Sequence, residues 1–306
     1  DHHSNLAEEL TDQEVNNIGR DLVKAYQDDR SSRKDWEDQY SKGLKMLGVV
    51  VEDRQDPFPG ASGVHHPLMA EAATQFQARA IAELFPSGGP VKTQVIGKSS
   101  NKKIEQAQRV QDFMNWQVTN QIKDYFNELD QLLFYLSLAG SAFKKIYFDN
   151  SLDRICSVFV PAEDFVISYD NTDLETSERY TQVMKLSRNE IKRRQIEGFY
   201  KDVPLSKTET TSNQGGTVEQ TMERLQGMTP SMSDKIHTIL EIHANLDLGE
   251  DENGLALPYI VTVDQDSTVV LAIRRNWKED DPLKRKRTYF IHYKYLPGLG
   301  FYGFGL

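Results

Sequence analysis

Apolar residues recur at helical spacing through roughly the first 140 positions, and short alternating runs dominate afterwards. Val15, Ile18, Leu22 and Tyr26 follow Thr11-Asp12-Gln13-Glu14. That tetrad reads as a capping box, in which the Thr hydroxyl and Glu carboxylate satisfy exposed backbone donors reciprocally. Trp36, Tyr40, Leu44 and Leu47 repeat the spacing, as a second helix or a continuation, with Gly48 as its stop. Pro67 fits a first helical position, where its missing N–H has no intrahelical partner anyway. Met69, Ala72, Ala73, Phe76, Ala80 and Leu84 then define one face, and Pro86-Ser87-Gly88-Gly89-Pro90 ends the helix. From Asn101 to Ala139 the helical pattern runs too long for one average helix, which predicts a break near Val118–Lys123.

The period changes at Gly140. Phe143 to Phe148 and Ile155 to Val160 read as two strands joined by a polar turn at 149–153. Ser187-Arg188-Asn189-Glu190 is a second capping box, opening a short basic helix that Gly198 closes. Residues 206–234 are rich in Ser, Thr, Gln and Gly, and read as a mobile insert with a marginal helix near Thr217–Leu225. Four β-like runs follow, at 235–247, 256–264, 268–275 and 287–295. In the first, Ile236, Leu240, Ile242 and Ala244 alternate with His237, Glu241 and His243, the pattern of a half-buried strand. The expected class is α+β: an N-terminal helical region, 1–139, then a mostly antiparallel β region with an inserted helix, 140–306.

Composition narrows the partners. The formal charge is -10, and residues 1–60 hold 14 acidic against 8 basic side chains. Such a balance argues against sequence-independent duplex binding over the whole surface, because phosphate neutralisation needs a basic face. The longest apolar run, Leu132–Phe143, is interrupted by Ser137, Gly140 and Ser141 and falls short of the ~20 residues a membrane span needs. One cysteine, Cys156, rules out an intrachain disulfide and reads as a buried strand residue. A soluble protein made in a cytoplasm is the expectation.

Candidate chemistry is sparse. Gly97-Lys98-Ser99 matches the tail of a phosphate-binding P-loop, but Lys92 stands where the first glycine belongs. His65-His66 precede a proline with no matching ligand pair, and His237 and His243 lie ~20 Å apart along a strand. Asp247–Asn253 is acidic but lacks the order of an EF-hand loop. Two basic clusters remain, Lys192-Arg193-Arg194 on the short helix and Lys284-Arg285-Lys286-Arg287 before the last strand. From 274 to 287 there are seven basic and three acidic residues. Lys284, Arg285, Lys286 and Arg287 read either as a patch facing phosphates or a neighbouring subunit, or as a solvated loop compensated by Glu279-Asp280-Asp281. No cofactor or metal site is expected.

Several segments, taken in order, carry a resemblance: DPFPGASGVHHPLMAEAATQFQARAIAELFPSGGPVKTQVIG from Asp56 to Gly97, Gly140-Ser141-Ala142-Phe143, Val160-Pro161-Ala162-Glu163-Asp164-Phe165, and Leu299-Gly300-Phe301-Tyr302-Gly303-Phe304-Gly305-Leu306. Together they resemble the N-terminal, wing-like region of tailed-bacteriophage portal proteins, the head–tail connectors. The resemblance implies a non-enzymatic subunit of a ring, usually of twelve copies, at one capsid vertex. It implies contacts with capsid protein, the packaging ATPase (terminase) and a tail adaptor, and non-specific passage of double-stranded DNA, with no membrane. It also implies residence in the virion after assembly in the host cytoplasm, and a stem helix following the glycine-rich segment that ends this chain. A nucleotide-binding enzyme built on Gly97-Lys98-Ser99 and a monomeric binding module are the rival readings.

Overall fold

The computed structural model describes residues 2–47, 58, 66–149, 152–205, 218, 221–222, 236–250 and 254–306. Six α-helices are present among them: α1 (Asp12–Ser32), α2 (Lys34–Met46), α3 (Leu68–Leu84), α4 (Asn101–Trp116), α5 (Tyr125–Ala139) and α6 (Arg188–Ile196). Eight strands accompany them: β1 (Ser141–Asp149), β2 (Arg154–Pro161), β3 (Phe165–Val166), β4 (Arg179–Ser187), β5 (Ile236–Leu246), β6 (Leu257–Asp264), β7 (Val270–Arg275) and β8 (Phe290–Lys294). They form two antiparallel sheets, ordered β2-β1-β8 and β3-β4-β5-β6-β7. The fold is α+β, with helices preceding the sheets along the chain.

The chain divides into two compact units that are interleaved in sequence. Asp1–Leu44, Ala162–Thr288 and Gly298–Tyr302 form the first, and Lys45–Pro161, Tyr289–Pro297 and Gly303–Leu306 the second. The point near 139/140 marks where helices give way to strands, but it does not separate the units. Each unit pairs its own helices with its own sheet, because an amphipathic helix and a sheet face bury apolar area best against each other.

In the first unit α1 lays Val15, Leu22, Val23 and Tyr26 on the sheet face made by Leu240, Ile242, Ala244, Tyr259, Val261 and Ile273. Ile191 of α6 and Tyr200 cover the opposite face at Leu186, Ile239, Leu271 and Ala272. Coverage on both sides corrects the expected alternation in β5. His237 and His243 are buried, and Ile236 is exposed at the strand's start. A central strand with both faces covered does not display a polar side. β4, which pairs with β5 along nine residues, has no clear apolar alternation and was not expected from the sequence.

In the second unit α5 packs Leu129, Leu132, Leu133 and Leu136 against Ala142, with Phe76, Ala80 and Ile81 of α3 alongside. The expected α3 face is narrower than the sequence suggests. Ala73 is buried and Phe76 half-buried, whereas Ala72 and Leu84 face outward. Pro67 is the N-cap, one position before the first helical residue. The long helical stretch breaks as expected, through a π turn at Gln117–Gln121. The 206–234 insert lies outside the described residues except 218 and 221–222, which are helical.

Candidate functional site

Three of the segments singled out in the sequence, at 140–143, 160–165 and 299–306, are held at two anchors, one in each unit. In the first unit the anchor is Arg33, the residue joining α1 to α2 and nearly fully buried. Its guanidinium donates to the carbonyls of Ala162 (2.9 Å), Glu163 (2.7 Å) and Phe165 (2.7 Å), to the Glu37 carboxylate (2.9 Å) and to the Tyr302 hydroxyl (3.0 Å). Tyr302 in turn donates to the Phe165 carbonyl at 3.0 Å, accepts from the Ile167 amide at 3.2 Å and stacks on Trp36 at 4.5 Å. The Ala162–Phe165 and Gly300–Tyr302 segments are thus pinned through one side chain. Burial works against the Arg33 charge, but Tyr302 and Glu37 outweigh it and the cation is held more firmly than usual. Burial pushes the Tyr302 hydroxyl up, against the pull of Arg33.

In the second unit the anchor is a close backbone approach. Gly140 caps α5 with φ +75°, and a side chain there would come within 2.3 Å of the Gly303 carbonyl. Gly303 is equally close to the Gly140 carbonyl, so neither position has room for a Cβ. The Ser141 hydroxyl accepts from the Gly303 amide at 2.8 Å and lies 3.0 Å from His292 Nε2. Leu306 donates to the Ser137 carbonyl at 2.8 Å. Burial, with Lys294 adding to it, pushes His292 down to about 3, so the imidazole is neutral near neutral pH. A neutral His beside a Ser hydroxyl is a nucleophile's arrangement in an open cleft. Here Ser141 is fully buried and spends its oxygen on a backbone amide. The pair holds the glycine-rich segment in place.

The basic run does not present one cationic face. Lys284 donates to the Glu250 carbonyl at 3.1 Å, and Arg285 pairs with Asp281 at 2.9 Å. Lys286 reaches inward, donating to the carbonyls of Leu174 and Ser177, each at 2.9 Å, while the Arg287 backbone amide donates to the Asn276 carbonyl at 2.9 Å. Lys284, Arg285 and Lys286 thus all spend their charges inside their own unit. On α6, Lys192 pairs with Asp202 and Arg194 with Glu190 and the Tyr200 hydroxyl. Asn189, Lys192, Arg193 and Ile196 turn outward, opposite buried Ile191.

The remaining candidates resolve into structural roles. Gly97-Lys98-Ser99 is an exposed loop with no strand before it, and α4 starts only at Asn101, so the strand–loop–helix cradle of a P-loop is not formed. His65 lies outside the described residues, and His66 is exposed. Glu250 of the acidic bend pairs with Arg275; residues 251–253 lie outside the described residues. His237 faces Asp264 at 3.4 Å, and His243 faces Glu241 at 3.0 Å. Cys156 is buried in β2. Among the described residues no group of His, Cys, Asp and Glu could hold a metal, and no helix is long and apolar enough to cross a membrane.

Two features were not anticipated. Lys144 of β1 is buried, with its ammonium 3.7 Å above the Tyr125 ring and without a hydrogen-bond partner. Burial pushes it down to about 8, against the opposing pull of Glu128. The second is α4, in which no residue is buried. Val110, Phe113, Met114 and Trp116 are all exposed, and the 91–93 segment lies along the opposite side through Ala107, Gln111 and Asn115. No protein-family model matches the chain, and no curated protein is significantly similar to it.

Proposed function

We propose that this chain is a non-enzymatic structural subunit of a tailed-bacteriophage portal, built into a ring at one capsid vertex. In that role it passes double-stranded DNA non-specifically during packaging and ejection. It docks the packaging ATPase during assembly and a tail adaptor afterwards, and ends in the virion. The family comes from the ordered sequence segments described above. The observation that carries the assembly half of the reading is α4, a 16-residue helix on which Ile104, Val110, Phe113, Met114 and Trp116 are exposed among the described residues. Contiguous apolar surface of that kind marks an interface, and a ring requires every copy to present two different surfaces to its neighbours. The anchors at Arg33 and Gly140 fit a scaffold role, since both are closed, internally satisfied and buried.

Mass measurement and negative-stain imaging of the full-length protein at micromolar concentration test the reading. Rings, usually of twelve copies, are the expected outcome. Compact monomers alone, or nucleotide turnover abolished by Lys98→Ala, would overturn it.

A further inference from the structure

The outward face of α4, in the second unit, and the bend at Leu299, in the first, have matching chemistry. The 91–93 segment binds α4 along Ala107, Gln111 and Asn115, which makes that side the inner one. Lys102, Gln106, Arg109, Phe113 and Trp116 follow the i, i+4, i+7, i+11, i+14 spacing of one face and turn the other way. Phe113 is 58% exposed and Trp116 51%, with their rings 5.9 Å apart. Lys102 and Arg109 are exposed and have no partner among the described residues. From 91 to 111 the chain carries five basic side chains and one acidic, in a protein of net charge -10. At the bend, Leu299 is 95% exposed. Gly300 lies so close to the Tyr169 ring that a Cβ would come within 2.5 Å of it, and the Phe301 amide donates to the Tyr169 carbonyl at 3.1 Å. Tyr169 opens a loop that carries Asp170, Asp173, Glu175 and Glu178, all exposed, and no basic residue through 178. Lys286 reaches this loop but gives its ammonium to the carbonyls of Leu174 and Ser177. A cationic stripe ending in two aromatic rings thus faces outward in the second unit, and an apolar side chain beside a run of acids in the first.

We infer that these two surfaces meet between successive copies of this chain, with Leu299 of one copy seated on Phe113 and Trp116 of the next and the acidic loop lying along Lys102 and Arg109. The inference rests on the ring reading and names what α4 touches. A head-to-tail ring needs two unlike, complementary patches on each subunit, and this chain carries both. The contact takes from water the most exposed large apolar side chain among the described residues, Leu299, together with two aromatic rings. The opposite charges beside them set register and exclude the reversed docking. A phosphate backbone fits the stripe less well, because Glu105 and Asp112 stand on the same helix and Leu299 would stay uncovered. Lys284, Arg285 and Lys286 do not compete for this role, because they are engaged within their own unit.

Charge exchange in the full-length protein tests the contact, with oligomer mass read by analytical ultracentrifugation. Lys102→Glu with Arg109→Glu, and separately Asp170→Lys with Glu175→Lys, should each raise the concentration needed for assembly at least tenfold. Combining all four changes should restore assembly, which simple misfolding would not allow. In a second arm, Phe113→Cys with Leu299→Cys should give a ladder of disulfide-linked multimers on mild oxidation, Cys156 being buried. Charge variants that assemble as readily as wild type, a combination that stays dissociated, or the lack of a ladder would each overturn the contact while the ring stands. Failure of wild type to assemble at all would remove the ring reading and this contact with it. A loss of duplex-DNA binding by the Lys102→Glu/Arg109→Glu variant, with assembly intact, would assign the α4 stripe to phosphate and overturn the contact.

Discussion

Arg33 in the first unit and Lys144 in the second are both buried cations, and they behave in opposite ways. Arg33 gives its donors to three carbonyls, a carboxylate and a phenol, and its charge is strengthened. Lys144 has a ring face at 3.7 Å and no hydrogen bond, and its charge is weakened. Burial is the same in both; partners decide the sign. A desolvated cation strengthens a fold when its donors are met, and otherwise subtracts from it.

The largest test of that contrast is Arg33→Met. It would leave the Glu37 carboxylate buried without its guanidinium and strand several carbonyls, so the first unit should lose about 3–5 kcal/mol in urea unfolding. An effect below about 1 kcal/mol would show that the pin is ornamental. Tyr302→Phe is a finer probe of the same anchor. Removing one hydroxyl that both donates and accepts should cost about 1–3 kcal/mol.

Lys144→Met should act in the other direction. Replacing an unpaired buried ammonium by an apolar chain of similar length should stabilise the second unit at pH 7, on the order of 1–3 kcal/mol. Slower hydrogen exchange across β1 would report it. The pH dependence follows from the sign of the shift. Lys144 ionises at about 8 in the fold against 10.5 ordinarily, so between those values the unfolded chain binds more protons and stability rises with pH. The raised Tyr125 and Tyr293 hydroxyls reverse the trend above about pH 10. In Lys144→Met the rise between pH 8 and 10 should vanish. If it persists, another group titrates there.

The smallest effect separates neighbours in the basic run. Lys286→Gln should cost about 1 kcal/mol through its two carbonyl bonds. Exposed Arg285→Gln should change stability by less than about 0.5 kcal/mol. Equal effects would mean that the loop does not distinguish inward from outward charges.

Local structure was legible where one segment determines it. The Thr11 capping box forms as its sequence requires, with Glu14 donating its amide to the Thr11 hydroxyl and returning its carboxylate to the Thr11 amide. Ser187 accepts from the Glu190 amide in the same manner. The β1–β2 hairpin also follows from its own alternation and turn residues. What escaped the sequence depends on distant partners. Arg33 looks like any surface arginine until Ala162–Phe165 and Tyr302 are brought to it. His237 and His243 read as polar positions of a half-buried strand, and only the cover on both sides of the sheet buries them. The basic run read either as a facing patch or as a solvated loop, because its charges are adjacent in sequence. Its acceptors at Leu174, Ser177 and Glu250 are remote and are backbone atoms, which no composition count reveals.

The pairing of β8 with β1 has a consequence for how the protein is made. About 140 residues separate the end of β1 at Asp149 from the start of β8 at Phe290. At a translation rate of roughly 5–20 residues per second, one side of β1 waits on the order of ten seconds for its strand partner. Throughout that interval the nascent hairpin exposes an unpaired edge, the kind of surface that templates aggregation. The charged Lys144 and Lys145 lie along that edge, at the positions that β8 later covers opposite Ile291 and Phe290. A lysine that weakens the finished sheet is therefore well placed to guard the unfinished one, since charge on an open strand discourages wrong partners before the right one has been synthesised.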